Sequence, residues 1–139
     1  MKRILAFAAV VELGTGVALM AEPAIVVRLL LGADLAGVGL AAGRCFGIAL
    51  MALALACWPG RTGAESGRAA FRGMLVYNVL IALYLVFVGT TGPSKGPLLW
   101  PAVALHAVVA LLLVSSKTSR REPRASDALV PPSRHSIPG

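Results

Sequence analysis

Residues 38–58 read VGLAAGRCFGIALMALALACW, an apolar run that contains one charge, Arg44, and glycines at positions 39, 43 and 47. A helix of about 20 such residues crosses a hydrocarbon core of ~30 Å. Three further stretches of the same kind, 4–20, 71–89 and 98–115, fill most of the 139-residue chain. In hydrocarbon every backbone N–H and C=O must be paired within its own segment, which a helix does and an open strand does not. The expected fold is therefore all-α: a transmembrane four-helix bundle over residues 1–116, followed by a tail at 117–139.

Composition supports that reading. Only 14 % of residues are charged and 58 % are hydrophobic, whereas soluble domains carry roughly 25 % charged residues. A soluble chain of this length would have no core large enough to hide four such runs. The net charge of +7 does not imply nucleic acid, because the cations lie in short clusters between apolar runs, without interleaved aromatics. Lys2 and Arg3 precede the first run, Arg61, Arg68 and Arg72 lie between the second and third, and Lys117, Arg120, Arg121, Arg124 and Arg134 follow the fourth. The other two connections carry only Arg28 and Lys95. With four spans, the cation-rich regions fall on one face, which the positive-inside rule assigns to the cytoplasm together with both termini. A multi-pass protein of the bacterial inner membrane is expected.

The opening Lys2-Arg3 and its apolar run also suit a secretory leader. Glu12 interrupts that run, and Leu19 with Ala21 make only a fair cleavage site, so the stretch is read as a span. Pro23 stands at a plausible first helical position and Gly32 at a plausible stop, with Ile-Val-Val-Arg-Leu-Leu-Leu close behind the proline. The segment is too short to cross. It reads as a short interfacial helix between spans 1 and 2, with Arg28 directed toward headgroups, serving as a connector or as a lid over the bundle mouth. Residues 59–63, PGRTG, end the second span and open a cytoplasmic loop that runs to Arg72. Residues 90–97 form a Gly/Pro-rich outer turn. Trp58 and Trp100 mark the two interfaces, and the Lys-, Arg-, Ser- and Pro-rich tail is expected to be disordered.

Gly39, Gly43 and Gly47 are four apart and share a helix face, a strip along which a neighbour approaches closely. Packing within the monomer and self-association are the two uses open to it. Ala6, Gly14 and Ala18 form a less regular small-residue set on the first span. Ionisable groups within spans cost roughly 2.5–3.5 kcal/mol on insertion scales and seek partners inside the bundle. This chain has three: Glu12, Arg44 and His106. At 1.5 Å per residue they lie about 12, 9 and 12 Å from the outer ends of their spans, one layer in the outer half of the membrane. Glu12 is the expected counter-ion of Arg44. Tyr77 and Asn78 are placed deeper, and Tyr84, seven residues from Tyr77 and on its face, nearer the outer surface.

Such a layer serves either as interhelical glue and register or as a site for a polar ligand, a lipid head or a proton, with His106 as the titrating member. No nucleophile–base pair or phosphate loop is present. Catalytic zinc takes three protein ligands, which His106 alone does not supply. Cys45 and Cys57, about 18 Å apart along one helix, do not bridge each other. No metal, no cofactor and no enzymatic activity are expected.

The block at 43–48, Gly-Arg-Cys-Phe-Gly-Ile, resembles an Arg-x-Phe-Gly-type signature of small four-span families. In span count, length and this block the chain is similar to DoxX-like bacterial membrane proteins, and in length and the same block to the ergosterol-biosynthesis scaffold family. The resemblance implies a four-helix bundle without an established catalytic centre, in which Arg44, Phe46 and Gly47 are the matching positions, and a tethering role like that of the scaffold relatives. The expected function is interaction or scaffolding in the bilayer, with other membrane proteins or itself as partner. The alternative is handling of a small ligand, lipid or proton by the polar layer. The orientation has a direct check. With Cys45 and Cys57 replaced by Ala, Ser66→Cys and Ser126→Cys should each resist a membrane-impermeant thiol reagent on intact cells and react after lysis. Labelling of both from outside reverses the topology.

Overall fold

The computed structural model describes residues 2–58, 64–93 and 95–118. Residues 59–63 with Arg61, and the tail cations Arg120, Arg121, Arg124 and Arg134 with the tail expected to be disordered, lie outside the described residues. The described residues form five helices and no strand: α1 (Lys2–Ala21), α2 (Pro23–Leu31), α3 (Val38–Ala56), α4 (Ala64–Thr91) and α5 (Leu99–Thr118). All but α2 are long and apolar enough to cross a membrane, the four-span bundle expected from hydropathy.

The helix ends follow local chemistry. Pro23 is the first residue of α2 and Gly32 closes it in the left-handed conformation at φ 72°, its N–H donating to the Arg28 carbonyl at 2.9 Å, as a glycine C-cap should. Pro101 falls in the first turn of α5, where a missing N–H costs no helical bond. The largest departure from expectation is α4. It begins at Ala64 rather than near 71, so Arg68 and Arg72 ride on the helix instead of a loop. Hydropathy marks where a helix is apolar, not where it is helical, and Ala64-Glu-Ser-Gly-Arg-Ala-Ala continues it beyond the hydrocarbon.

Most buried positions recur at alternating steps of three and four, or at seven, their sum. They are Leu5, Ala9, Glu12, Gly16 and Leu19 on α1, Gly47, Leu50, Ala54 and Cys57 on and just past α3, and Phe71, Met74, Asn78 and Leu85 on α4. That 3.5-residue period is the seam of left-handed helix packing. The helices pack as two pairs, α1 with α3 and α4 with α5, and the pairs meet mainly through α1. Toward the inner end Leu5, Ala8, Ala9, Ala54, Cys57, Phe71, Met74, Val109 and Leu113 form one core. There the Cys57 thiol donates to the Ala70 carbonyl at 3.5 Å.

Between α1 and α3 the backbones themselves touch. A Cβ on Gly47 would stand 2.7 Å from the Gly16 carbonyl oxygen and 3.0 Å from the Met20 nitrogen. Gly43 faces Pro23 and Gly39 faces Leu35, so the glycine strip is spent on packing within the chain. Ala6, Gly14 and Ala18 do not share in this. A Cβ on Gly14 would meet nothing within 4 Å, Ala18 is exposed and Ala6 half-buried, while Ala8, Ala9 and Gly16 carry the close contacts of α1. At the outer end α2 touches α1, α3 and α5. The Leu98 N–H donates to the Leu29 carbonyl at 2.9 Å, and Gly96 lies directly against that carbonyl. The short helix is thus strapped to the α4–α5 turn. Its exposed Ile25 and Leu29 and the exposed Arg28–Asp34 ion pair at 3.8 Å give it the mixed surface of an interfacial segment.

Gly47→Ala should lower unfolding stability in mixed micelles by about 1–3 kcal/mol, because backbone must shift to admit the methyl. Gly14→Ala, the same change in open space, should be neutral or stabilising by up to about 1 kcal/mol.

Candidate functional site

Four polar side chains meet at the middle of the bundle. Glu12 lies at the midpoint of the Arg3–Ala21 span, and Tyr77, Asn78 and His106 lie close to the midpoints of theirs. Glu12 and Asn78 are each 1 % exposed. Both occupy seam positions, which is why their side chains point inward rather than to lipid.

Asn78 fixes the tier. Its Nδ2 donates to the Met74 carbonyl at 2.8 Å, one turn earlier on α4, which leaves Oδ1 as the acceptor. His106 Nδ1 stands 2.9 Å from that Oδ1 and must therefore carry the hydrogen, since an amide oxygen has nothing to donate. The same Nδ1 is 3.9 Å from Glu12 Oε1. The Tyr77 ring meets the imidazole edge-on with centroids 5.9 Å apart. Glu12 Oε2 is buried with no hydrogen-bond partner. Helices α1, α4 and α5 thus converge on a carboxyl, a phenol, an amide and an imidazole. One acceptor is left open.

Arg44 is not among them. It is exposed, and among the described residues it has neither an ion pair nor a hydrogen bond. The expected Glu12–Arg44 pair is corrected by the rotation of α3. The glycine strip faces α1 and α2, and Arg44 stands roughly 60–100° from its glycines at 100° per residue, turned out of the bundle. The layer's third member comes instead from α4. Tyr77 and Asn78, expected deeper, lie level with Glu12 and His106 because the tier sits at mid-membrane rather than in the outer half. Tyr84 does not join and is 60 % exposed. It shares the face of Tyr77, but α1 flanks the α4–α5 pair only lightly and offers Tyr84 nothing to pack on.

Around Arg44, α3 carries exposed Cys45, Phe46 and Ile48. α3 packs mainly against α1 and more lightly against α2, and it touches α4 only at its inner end, so this flank is exposed. Among the described residues no three His, Cys, Asp or Glu are grouped as metal ligands. Comparison with protein-family models, curated proteins and solved structures returns no match.

Double-mutant cycles separate the two arrangements. Asn78→Leu with His106→Leu should show a coupling of about 0.6–1.7 kcal/mol, the range of hydrogen bonds between membrane helices. Glu12→Gln with Arg44→Gln should be additive within about 0.3–0.5 kcal/mol, and a larger coupling would restore the ion pair.

Proposed function

We propose that this chain is an interaction protein of the bilayer, of the bacterial inner-membrane type and not an enzyme, and that the outer half of α3 is the surface it presents. The observation that carries the reading is Arg44, a charge within a span and about 9 Å from its outer end at 1.5 Å per residue, exposed and unpartnered among the described residues. A guanidinium at that depth is stabilised by a carboxylate that shares the low-dielectric layer, through paired N–H donors in a fixed fork. The partner is therefore another membrane protein with an acidic side chain at matching depth. Phe46 and Ile48 supply the apolar contact on either side. The resemblance of the 43–48 block to four-span families that include tethering scaffolds points the same way.

A second reading is favoured by a different observation. The open Oε2 of Glu12 suits a site for a proton or a small polar donor rather than a finished structural network, in which buried polar atoms are normally paired.

A photo-crosslinker attached to Cys45, the exposed thiol beside Arg44, tests the first reading in native membranes. One discrete product with a second protein is expected, and its yield should fall about tenfold in Arg44→Gln, equivalent to about 1.4 kcal/mol of binding. Lipid adducts alone, a product of two identical chains, or a yield indifferent to Arg44→Gln would overturn it.

A further inference from the structure

Glu12 is the only carboxylate in the four spans, and its side chain is 2 % exposed. Among the described residues its ionic contact is with His106 at 3.9 Å. The groups that face it come from three directions. They are His106 on α5, 3.9 Å away, and Tyr77 and Asn78 on α4, which contact the His106 ring, with the buried Cys57 thiol at the end of α3 the next buried titratable group. Arg28, the cation of α2, is exposed and paired with Asp34 at the outer end. No fixed positive charge is built into the tier.

From this geometry, and resting on the second reading of Glu12 given above, we infer that Glu12 and His106 form a site that binds and releases one proton at the middle of the membrane. The proton rests on the Glu12 carboxyl or on the ring nitrogen of His106 that Asn78 does not engage. With the carboxyl ionised and the second ring nitrogen protonated, a carboxylate stands beside an imidazolium and the net charge of the tier is zero. Release to the medium leaves the tier one unit negative.

The surroundings suit this exchange. Nδ1 carries a hydrogen in both the neutral tautomer set by Asn78 and the imidazolium. The 2.9 Å bond to Asn78 Oδ1 therefore holds while the ring changes charge. The Met74 carbonyl keeps the amide from turning, so the ring has a fixed anchor in either form. Oε2 is buried without a hydrogen-bond partner, where a finished packing network would pair it, and an unpaired carboxyl oxygen is a place for a proton to rest.

Infrared spectroscopy of the full chain in lipid bilayers, with glutamate labelled with carbon-13 at the side-chain carboxyl, tests the inference without altering the protein. The expected result is an isotope-sensitive carbonyl band of a protonated acid in a low-dielectric setting that titrates as one proton and is missing from Glu12→Gln. Glu22, Glu65 and Glu122 lie outside the spans and absorb as solvated carboxyls. His106→Gln, which retains a side-chain donor for Asn78, should move the midpoint by at least tenfold in proton concentration while circular dichroism shows the helices intact. Absence of a titrating glutamate band from the unaltered chain, its persistence in folded Glu12→Gln, or a midpoint unmoved in His106→Gln would each overturn the proposal.

Discussion

A polar group in hydrocarbon has no water to fall back on, and this constraint orders the polar side chains of the four spans. The hydroxyls take the shortest route. Thr15, Thr90, Thr91 and Ser115 each donate to a carbonyl of the preceding turn, at 2.7–3.0 Å, and need no neighbouring helix. An amide, an imidazole and a carboxyl have too many groups for that solution. They are gathered where three helices meet, and the helices are positioned relative to one another by the gathering.

Association of helices in lipid draws little from the hydrophobic effect, because the tails are as apolar as leucine. What remains is contact between backbones and a few directed bonds. The first is supplied by Gly16 against Gly47, the second by Asn78 and His106. Gly16, Gly47 and Asn78 sit in seams whose other members, Glu12 apart, are apolar. A slip of one turn along α5 would carry His106 about 5.4 Å past Asn78 and strand both in apolar surroundings. The tier therefore specifies register, as a single buried Asn does in a coiled coil, whatever else it does.

The common level of Glu12 and His106 was legible in the sequence; the level of Tyr77 and Asn78 and the azimuth of Arg44 were not. Counting residues at a constant rise placed Glu12 and His106 at one level. The proline and glycine of α2 gave its ends, and three glycines at a spacing of four gave the packed face of α3. Arg44 failed because rotation about an axis has meaning only once the neighbours are known, and the pairing of α1 with α3 and of α4 with α5 is written in no single segment. The same gap hid Asn78. Its position in the α4 seam is visible as Phe71, Met74, Asn78 and Leu85 only when the partner face is known, although an Asn at mid-span within an apolar period was a signal in itself. The start of α4 was missed for a simpler reason, since a helix outside the hydrocarbon has no hydropathy signature.

The outcome is a molecule that keeps opposite charges apart. Glu12 and Arg44 stand on helices whose backbones touch at Gly16 and Gly47, yet one faces the tier and the other the bilayer. Joining them would have been the obvious use of both, but a buried ion pair contributes little net stability once each ion has been stripped of water, so its loss need not weaken the bundle. What the separation leaves is chemistry: a cation on a flank with few neighbours, and an acid that shares a buried tier with an imidazole. Because glycine leaves no side chain between α1 and α3, a displacement of α1 at the level of Glu12 must carry α3 with it or break the contact. The two features are chemically separate and mechanically joined.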